Sequence, residues 1–213
     1  WFRQELSPAS CRSYARSGAT WTCTPQTHRN TEENIGVLGD DNVIYNQICR
    51  LTDAVADGQQ PAPHLIIIMA GTNDAWFHDK RPQAFEPHQP HQPHSPQELV
   101  TLTDAVYDGC LMLHQSFPDA QLLLLTPMPS TAVPDSLITK AGDIIETTAR
   151  KLSAMTSVFC PNVISVFRLD RNAGFTSDSE RNQYRYTYDG THTNEAGAQN
   201  IGFLIANHLK NHP

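Results

Sequence analysis

Three short, almost wholly apolar runs constrain the fold of this chain more than any other feature. They lie at residues 64–70, 121–127 and 162–167; the first ends at a Gly-Thr-Asn-Asp sequence and the second at a proline. Aliphatic runs of this length, closed by glycine or proline, are typical of strands in a parallel sheet, and the first is expected to be buried on both faces. Residues 11–15 (CRSYA) predict a further short strand that ends at a Ser-Gly pair.

Segments with helical periodicity separate these runs. They lie near residues 42–57, 96–115, 134–154 and 194–210, and residues 1–6 resemble the end of another helix. Asn194 is expected to cap the last helix. Strands that alternate with helices predict a mostly parallel sheet covered on both faces, a three-layer α/β/α sandwich, and 213 residues suffice for one such domain.

Charge and hydropathy exclude two classes of protein. The formal net charge of −7 disfavours a nucleic-acid partner, because phosphate binding requires a basic surface. No run reaches the roughly 20 consecutive apolar residues that a membrane-spanning helix needs.

The five cysteines show no zinc-like spacing, and their odd number leaves at least one outside any internal disulfide. Cys11 with Cys23, or Cys23 with Cys49, could pair in an oxidising compartment. Cys110 and Cys160 lie in apolar surroundings and are expected to be buried thiols. We favour a secreted or periplasmic location over a cytoplasmic one.

Polar residues with a recognisable chemistry follow the predicted strands. In a doubly wound sheet the ligand site lies beyond the carboxyl ends of the strands, where Gly18 and Asn73 are placed. Asp189 precedes His192 by three residues, so its carboxylate can accept a hydrogen bond from Nδ1–H and leave Nε2 free as a base. Such a base serves a nucleophile, and an amide side chain and a backbone N–H are suitable donors to the resulting oxyanion. Together these residues indicate acyl transfer.

Three segments, taken in order, resemble a known family. SGATW (17–21), GTND (71–74) and DGTH (189–192) are similar to the second, third and fifth motif blocks of the SGNH/GDSL-type esterases. The resemblance covers essentially the whole chain. It implies a serine esterase that needs no cofactor, with a flavodoxin-like sheet of strand order 2-1-3-4-5.

The same resemblance implies a role for each matching residue. The backbone N–H of Gly18 and the side-chain amide of Asn73 would form the oxyanion hole. His192 would be the general base and Asp189 its orienting partner.

The family's first block, a Gly-Asp-Ser that carries the nucleophile, does not precede SGATW. A similar string, Gly39-Asp40-Asp41, follows the second block instead, and Asn42 is suited to capping the next helix. We therefore expect the first strand and its serine to lie upstream of Trp1. Their absence would leave a slot of roughly 10 Å between the strands at 11–16 and 64–70. The alternative is a catalytically inactive binding module that lacks the nucleophile.

A proline- and histidine-rich segment covers residues 86–98. His88, His91 and His94 recur every third residue, which aligns them on one face of a polyproline II helix. Aligned imidazoles could bind zinc or nickel, but exposed histidines without supporting carboxylates seldom form a dedicated metal site. We therefore predict no metal ion and a solvated insertion, with residues 82–96 as the most mobile internal segment.

The expected substrate is an ester of a polar alcohol. An apolar fraction of 39%, without a lid-like amphipathic helix, favours an acetyl or short-chain acyl group on a carbohydrate or another small molecule. Asp74 and Trp76 are candidates for the substrate pocket, and a helix cap and a packed aromatic ring are the structural alternatives. The sequence does not indicate the oligomeric state.

Overall fold

A parallel sheet of three strands forms the centre of the protein in the computed structural model, which describes residues 2–33, 36, 39–87, 95–156, 164–175 and 185–212. The strands are β1 (Leu65–Met69), β2 (Gln121–Leu125) and β3 (Ile164–Phe167), and they lie in that order. Ile67 is opposite Leu123, and Leu123 is opposite Ser165. The three predicted strands are thus confirmed, although residues 162 and 163 lie outside the described part.

Helices precede, connect and follow these strands. They are α1 (Phe2–Leu6), α2 (Ile44–Ala56), α3 (Thr72–Trp76), α4 (Leu102–Ser116), α5 (Asp135–Thr156) and α6 (Glu195–Asn211). Single 3₁₀ turns occupy Pro82–Phe85, Pro96–Glu98 and Arg171–Ala173. Asn194 caps α6 as predicted, because its side-chain oxygen accepts a hydrogen bond from the Gly197 N–H at 2.9 Å.

Alternate side chains of β2 enter two separate apolar clusters. Leu122 and Leu124 pack among residues of α2, α4 and α5, whereas Leu123 and Leu125 pack against Ile205 of α6 on the other face. Each of these leucines is buried, and burial of one leucine side chain stabilises the fold by about 2 kcal/mol. Helices therefore cover both faces of the sheet, and the α/β/α architecture is confirmed.

The predicted strand at residues 11–15 does not form. This segment has no ladder hydrogen bonds, and the only pairing in its vicinity is an isolated bridge between Thr20 and Val43. A strand needs a partner edge for its backbone groups, and none lies beside this segment in the described part of the chain. The expected pair of strands flanking a slot is therefore wrong in this form.

Strand β1 is less buried than its sequence predicts. Among the described residues it pairs with β2 alone, so its other edge is free. Residues 65–68 are half-buried and Met69 is 49% exposed, although the run was expected to be buried on both faces. The edge position explains the difference, because β2 lies between two strands and is buried.

Two helix starts differ from expectation. Asn42 does not cap α2; its side-chain amide donates to the Ser17 carbonyl at 2.6 Å, and Val43 takes the N-cap position. The helix predicted over 96–115 is interrupted, because Ser95 and Glu98 form a capping box around a 3₁₀ turn. Thr101 then caps α4 through a hydrogen bond from the Asp104 N–H.

The predictions for the loops and cysteines have mixed outcomes. Cys11, Cys23, Cys49 and Cys110 are free thiols, so neither suggested disulfide forms, and Cys110 is buried as expected. Cys160 lies outside the described residues.

The segment expected to be mobile begins with an ordered 3₁₀ turn whose Ala84 and Phe85 are buried. His88, His91 and His94 lie outside the described residues. No helix of the described part is long and apolar enough to cross a membrane.

Candidate active site

Asn73 stands just beyond the carboxyl end of β1. Gly71 turns the chain with a left-handed φ of 118° and begins α3, which places Asn73 in its first turn. The Asn73 Nδ2 group donates to the Ala19 carbonyl at 2.9 Å, so the amide lies beside the Gly18–Ala19 backbone. Nδ2 carries two hydrogens, and this bond uses only one of them. The two residues that the sequence suggests as oxyanion donors are thus close together.

Asp74 is a buried bridge between the same two segments. Its carboxylate accepts hydrogen bonds from the Trp21 N–H and the Thr22 N–H, both at 2.9 Å, and from the Thr22 hydroxyl at 2.7 Å. Burial raises the pKa of this carboxyl, and the hydrogen bonds from Thr22 and Trp21 oppose that rise. All of these contacts are internal, which favours a structural role for Asp74 over a position in the substrate pocket.

Arg81 adds a further link that the sequence does not reveal. Its guanidinium donates to the Thr20 hydroxyl at 2.6 Å and to the Thr22 carbonyl. The Asn42 amide holds the Ser17 carbonyl on the other side of Gly18. The loop from Ser17 to Thr22 is therefore fixed from three directions.

His192 and Asp189 form the expected pair on the turn before α6. The His192 Nδ1 lies 2.7 Å from Asp189 Oδ2, and Asp189 Oδ1 accepts from the backbone N–H groups of His192 at 2.7 Å and Thr191 at 3.0 Å. These bonds, the His192 backbone bond first, lower the Asp189 pKa to about 2. The ionised carboxylate makes Nδ1 the donor, so Nε2 carries the lone pair of the neutral ring.

The Nε2 atom of His192 is open to solvent. The side chain is 76% exposed, and Nε2 makes no hydrogen bond to any residue that the structure describes. No described serine hydroxyl forms a hydrogen bond with it, although that of Ser130 bonds to the neighbouring Thr191 at 2.6 Å. The pair can accept a proton from a nucleophile, but these residues do not supply one.

A tight turn and the loop after β2 shape the histidine segment. Gly190 has a φ of 82° and its N–H donates to the Thr187 hydroxyl at 2.9 Å. A Cβ at this glycine would lie 2.0 Å from the Thr131 Oγ1, so only glycine fits. The Thr131 N–H donates to the Gly190 carbonyl at 3.1 Å, and the Ser130 and Thr191 hydroxyls share a hydrogen bond of 2.6 Å.

The loop at residues 126–131 brings the two halves of the site to one edge of the sheet. Near its start, the Thr126 hydroxyl accepts from the Leu169 N–H at 2.9 Å, which joins the ends of β2 and β3. A Cβ built on Gly71 would lie 3.3 Å from the Pro127 Cγ, so this loop also packs against the turn before Asn73. One loop thus contacts both the asparagine turn and the histidine turn.

Two aromatic rings and one cavity lie along this edge. Trp76, three residues after Asn73, is 48% exposed, and Tyr188, directly before Asp189, is 68% exposed. A cavity of about 260 Å³ lies beside Pro127, and its lining includes the charged residues Arg168 and Asp170 but neither Asn73 nor His192. The sequence suggested Trp76 but not Tyr188, whose exposure depends on the turn it occupies.

Metal binding finds no support among the residues described. No group of three or more His, Cys, Asp or Glu side chains in the described ranges is arranged to hold a metal ion.

Comparison with known sequence families gives an extensive match. The sequence model of the GDSL-like Lipase/Acylhydrolase family matches residues 8–199. No curated protein is significantly similar to the chain in sequence.

Solved structures add a likeness in fold. A structural-genomics protein from Lactobacillus plantarum is 17% identical, with a TM-score of 0.56 over 75% of this chain and 73% of its own. A carbohydrate esterase family 3 protein from Talaromyces cellulolyticus is 16% identical over 87% of this chain and 79% of its own, with a TM-score of 0.49. A peptidoglycan O-acetylesterase is 17% identical over 76% of this chain and 40% of its own, also at 0.49.

Proposed function

The chain belongs to the GDSL-like lipase/acylhydrolase family and is a carboxylic ester hydrolase, and we propose that it acts as a serine esterase with His192 as its general base. The observation that carries this proposal is the His192–Asp189 pair. Asp189 holds Nδ1 at 2.7 Å, while Nε2 has no partner among the described residues.

The proposed reaction has two steps. In the first, Nε2 of His192 takes the hydroxyl proton of a serine, whose oxygen attacks the ester carbonyl. The free N–H of the Asn73 amide and the backbone N–H of Gly18 stabilise the oxyanion, and the alcohol leaves with the proton from His192. In the second, His192 takes a proton from a water molecule as the water oxygen attacks the acyl-enzyme. The ester bond to the serine oxygen then breaks, His192 returns the proton to that oxygen, and the carboxylic acid is released.

We assign the nucleophile to a serine on a strand that pairs with the free edge of β1. The half-buried state of residues 65–68 supports this assignment, because an additional strand would cover their open edge. The carboxyl end of such a strand would lie next to Asn73 at the same edge of the sheet. The residues encoded upstream of Trp1 are the proposed source.

An acetyl or short-chain acyl ester of a carbohydrate or another polar alcohol is the proposed substrate. The cavity of about 260 Å³ suits a small acyl group. The exposed rings of Trp76 and Tyr188 are amphipathic surfaces that can stack on a sugar ring.

The test is hydrolysis of an aryl acetate by the protein expressed with its upstream encoded residues. We expect turnover, and His192→Ala should reduce kcat by several orders of magnitude, because the general base is lost. His64→Ala is the matched control; His64 is exposed at the opposite end of β1 and should leave kcat unchanged. Equal loss of kcat in both variants would contradict the assignment.

A further inference from the structure

A second, polar cavity lies on the side of α2 that faces residues 12–16. Its volume is about 620 Å³, which is within the size range of small-molecule sites. Arg12 and Arg16 line it from the loop, and Arg50 lines it from α2. The proposed ester hydrolysis uses none of these residues.

Among the residues that the structure describes, the three guanidinium groups form no ion pair. In the described part of the chain, none of them lies within ion-pairing distance of an acidic side chain, although eight other ion pairs are formed by histidine, lysine or arginine elsewhere. Arg50 is only 8% exposed. It donates to the Tyr14 carbonyl and lies 5.2 Å from the centre of the Tyr14 ring. Its direct contacts are neutral, and only the more distant charge of Glu33 favours this buried cation, so a bound anion would relieve the cost of its burial.

Arg16 repeats this pattern at the same wall. Its Nε atom is buried and has no hydrogen-bond partner, while its NH1 group contacts only the Ala15 carbonyl at 3.2 Å. Burial and then the nearby charge of Arg16 lower the pKa of Arg50, and the charge of Glu33 opposes them, so the two guanidiniums lie in each other's field.

Acidic residues of the wall compensate this positive charge only in part. Asp53 is occupied by Arg29 at 2.5 Å. Glu33 and Asp57 also line the cavity, but neither pairs with a guanidinium. The unpaired arginines therefore outnumber the unpaired carboxylates in a protein whose net charge is −7.

We propose that this cavity is an anion site that binds a phosphate group, either as free phosphate or as the phosphate ester of a small molecule. Guanidinium groups bind phosphate oxygens through paired, charge-assisted hydrogen bonds, and three of them suit a dianion. The Nε–H of Arg16 is the donor that such a ligand would satisfy first.

The experiment measures binding of inorganic phosphate by calorimetry at constant ionic strength, with chloride as the reference anion. We expect saturable binding by the whole protein, and a loss of at least about tenfold in affinity in Arg16→Gln, since one charge-assisted contact is removed. Arg150→Gln is the control, because Arg150 is an exposed residue paired with Glu146 on α5. Arg50→Lys keeps the buried charge but loses the paired donors, so it should also weaken binding.

A sugar phosphate in a parallel titration separates the two sources of the group. Tighter binding of the ester identifies a phosphorylated small molecule, and equal binding identifies free phosphate. Phosphate affinity that is the same in Arg16→Gln and in the unaltered protein would overturn the proposal, as would an equal response to chloride. Because the readout is binding, it does not depend on whether the esterase proposal holds.

Discussion

At the scale of single residues, the chemistry of the site depends on which atoms of His192 and Asn73 remain free. Asp189 occupies Nδ1 of His192, and the Ala19 carbonyl occupies one hydrogen of the Asn73 amide. What remains is one lone pair and one N–H, the two groups that an acyl transfer needs from its base and its oxyanion hole.

Asn73→Ala tests the oxyanion assignment. We expect kcat to fall by about 10²–10³ with little change in KM, because the lost hydrogen bond forms mainly in the transition state. Steady-state kinetics with an aryl acetate provide the measurement. Gln97→Ala is a suitable control, since Gln97 contacts only His28 and Thr27, away from the site. A change confined to KM would show that Asn73 binds substrate without stabilising the oxyanion.

The sequence predicts contacts between residues that are close together in the chain. It does not predict contacts between residues that are far apart. The Asp189–His192 pair spans three positions of one turn, so the sequence displays it directly. Arg81 reaches Thr20 across 61 positions, and Asn42 reaches Ser17 across 25. Contacts of this range depend on how the elements pack, and no periodicity in the sequence encodes them.

At the scale of elements, α4 carries a carboxyl group in an unfavourable place. Asp108 is half-buried, has no hydrogen bond to any described residue, and follows Asp104 by one helical turn. Burial, and then the charge of Asp104, raise the Asp108 pKa to about 6. The unfolded chain releases this proton near the usual value of 3.8, so the free energy of unfolding falls between pH 4 and 6 and stays lower above that range.

Asp108→Asn should remove that loss. We expect the variant to be more stable than the unaltered protein by about 1 kcal/mol at pH 8, a figure reduced from the full pKa shift because the group is partly solvated. Near pH 4 the two proteins should have equal stability. Urea unfolding at both pH values is the measurement, with the exposed Asp119→Asn as control. An equal increase in the free energy of unfolding at both pH values would contradict the assigned pKa of Asp108.

The type of an element could be predicted where its apolar pattern was long. The prediction failed where the element needed a neighbouring strand to form. The four consecutive leucines of β2 and the helical periodicity of α5 are visible in the sequence and predict these elements directly. The apolar content of residues 11–15 gave no indication that the segment would lack a neighbouring strand. Likewise, the sequence of β1 predicts a buried strand, but its burial depends on what pairs with the edge opposite β2.

At the scale of the whole molecule, Asp74 connects parts of the chain that are far apart in sequence. Its carboxylate joins α3 to the loop that carries Gly18, across 52 and 53 positions. Removing it would leave the Trp21 and Thr22 N–H groups buried without acceptors. The geometry of the oxyanion donors is therefore tied to the stability of the fold.

Asp74→Ala should destabilise the protein by about 2–4 kcal/mol, because two buried backbone donors lose their acceptor. Thermal or urea unfolding measures this loss. Asp79→Ala removes an exposed carboxylate from the same region and should change stability by less than about 0.5 kcal/mol. Similar stabilities of the two variants would show that Asp74 is not a structural bridge.

The contrast between the two halves of the site has a consequence for amide hydrogen exchange. The Trp21 and Thr22 N–H groups donate to a buried carboxylate, so they can exchange with solvent deuterium only when the surrounding core opens. The Thr191 and His192 N–H groups donate to an exposed one, so a local opening of their turn suffices. We expect the first pair to exchange at the rate set by global unfolding and the second pair many times faster. The loop that carries Gly18 would then keep one conformation in the folded protein. The turn that carries His192 would open and close repeatedly without unfolding of the core.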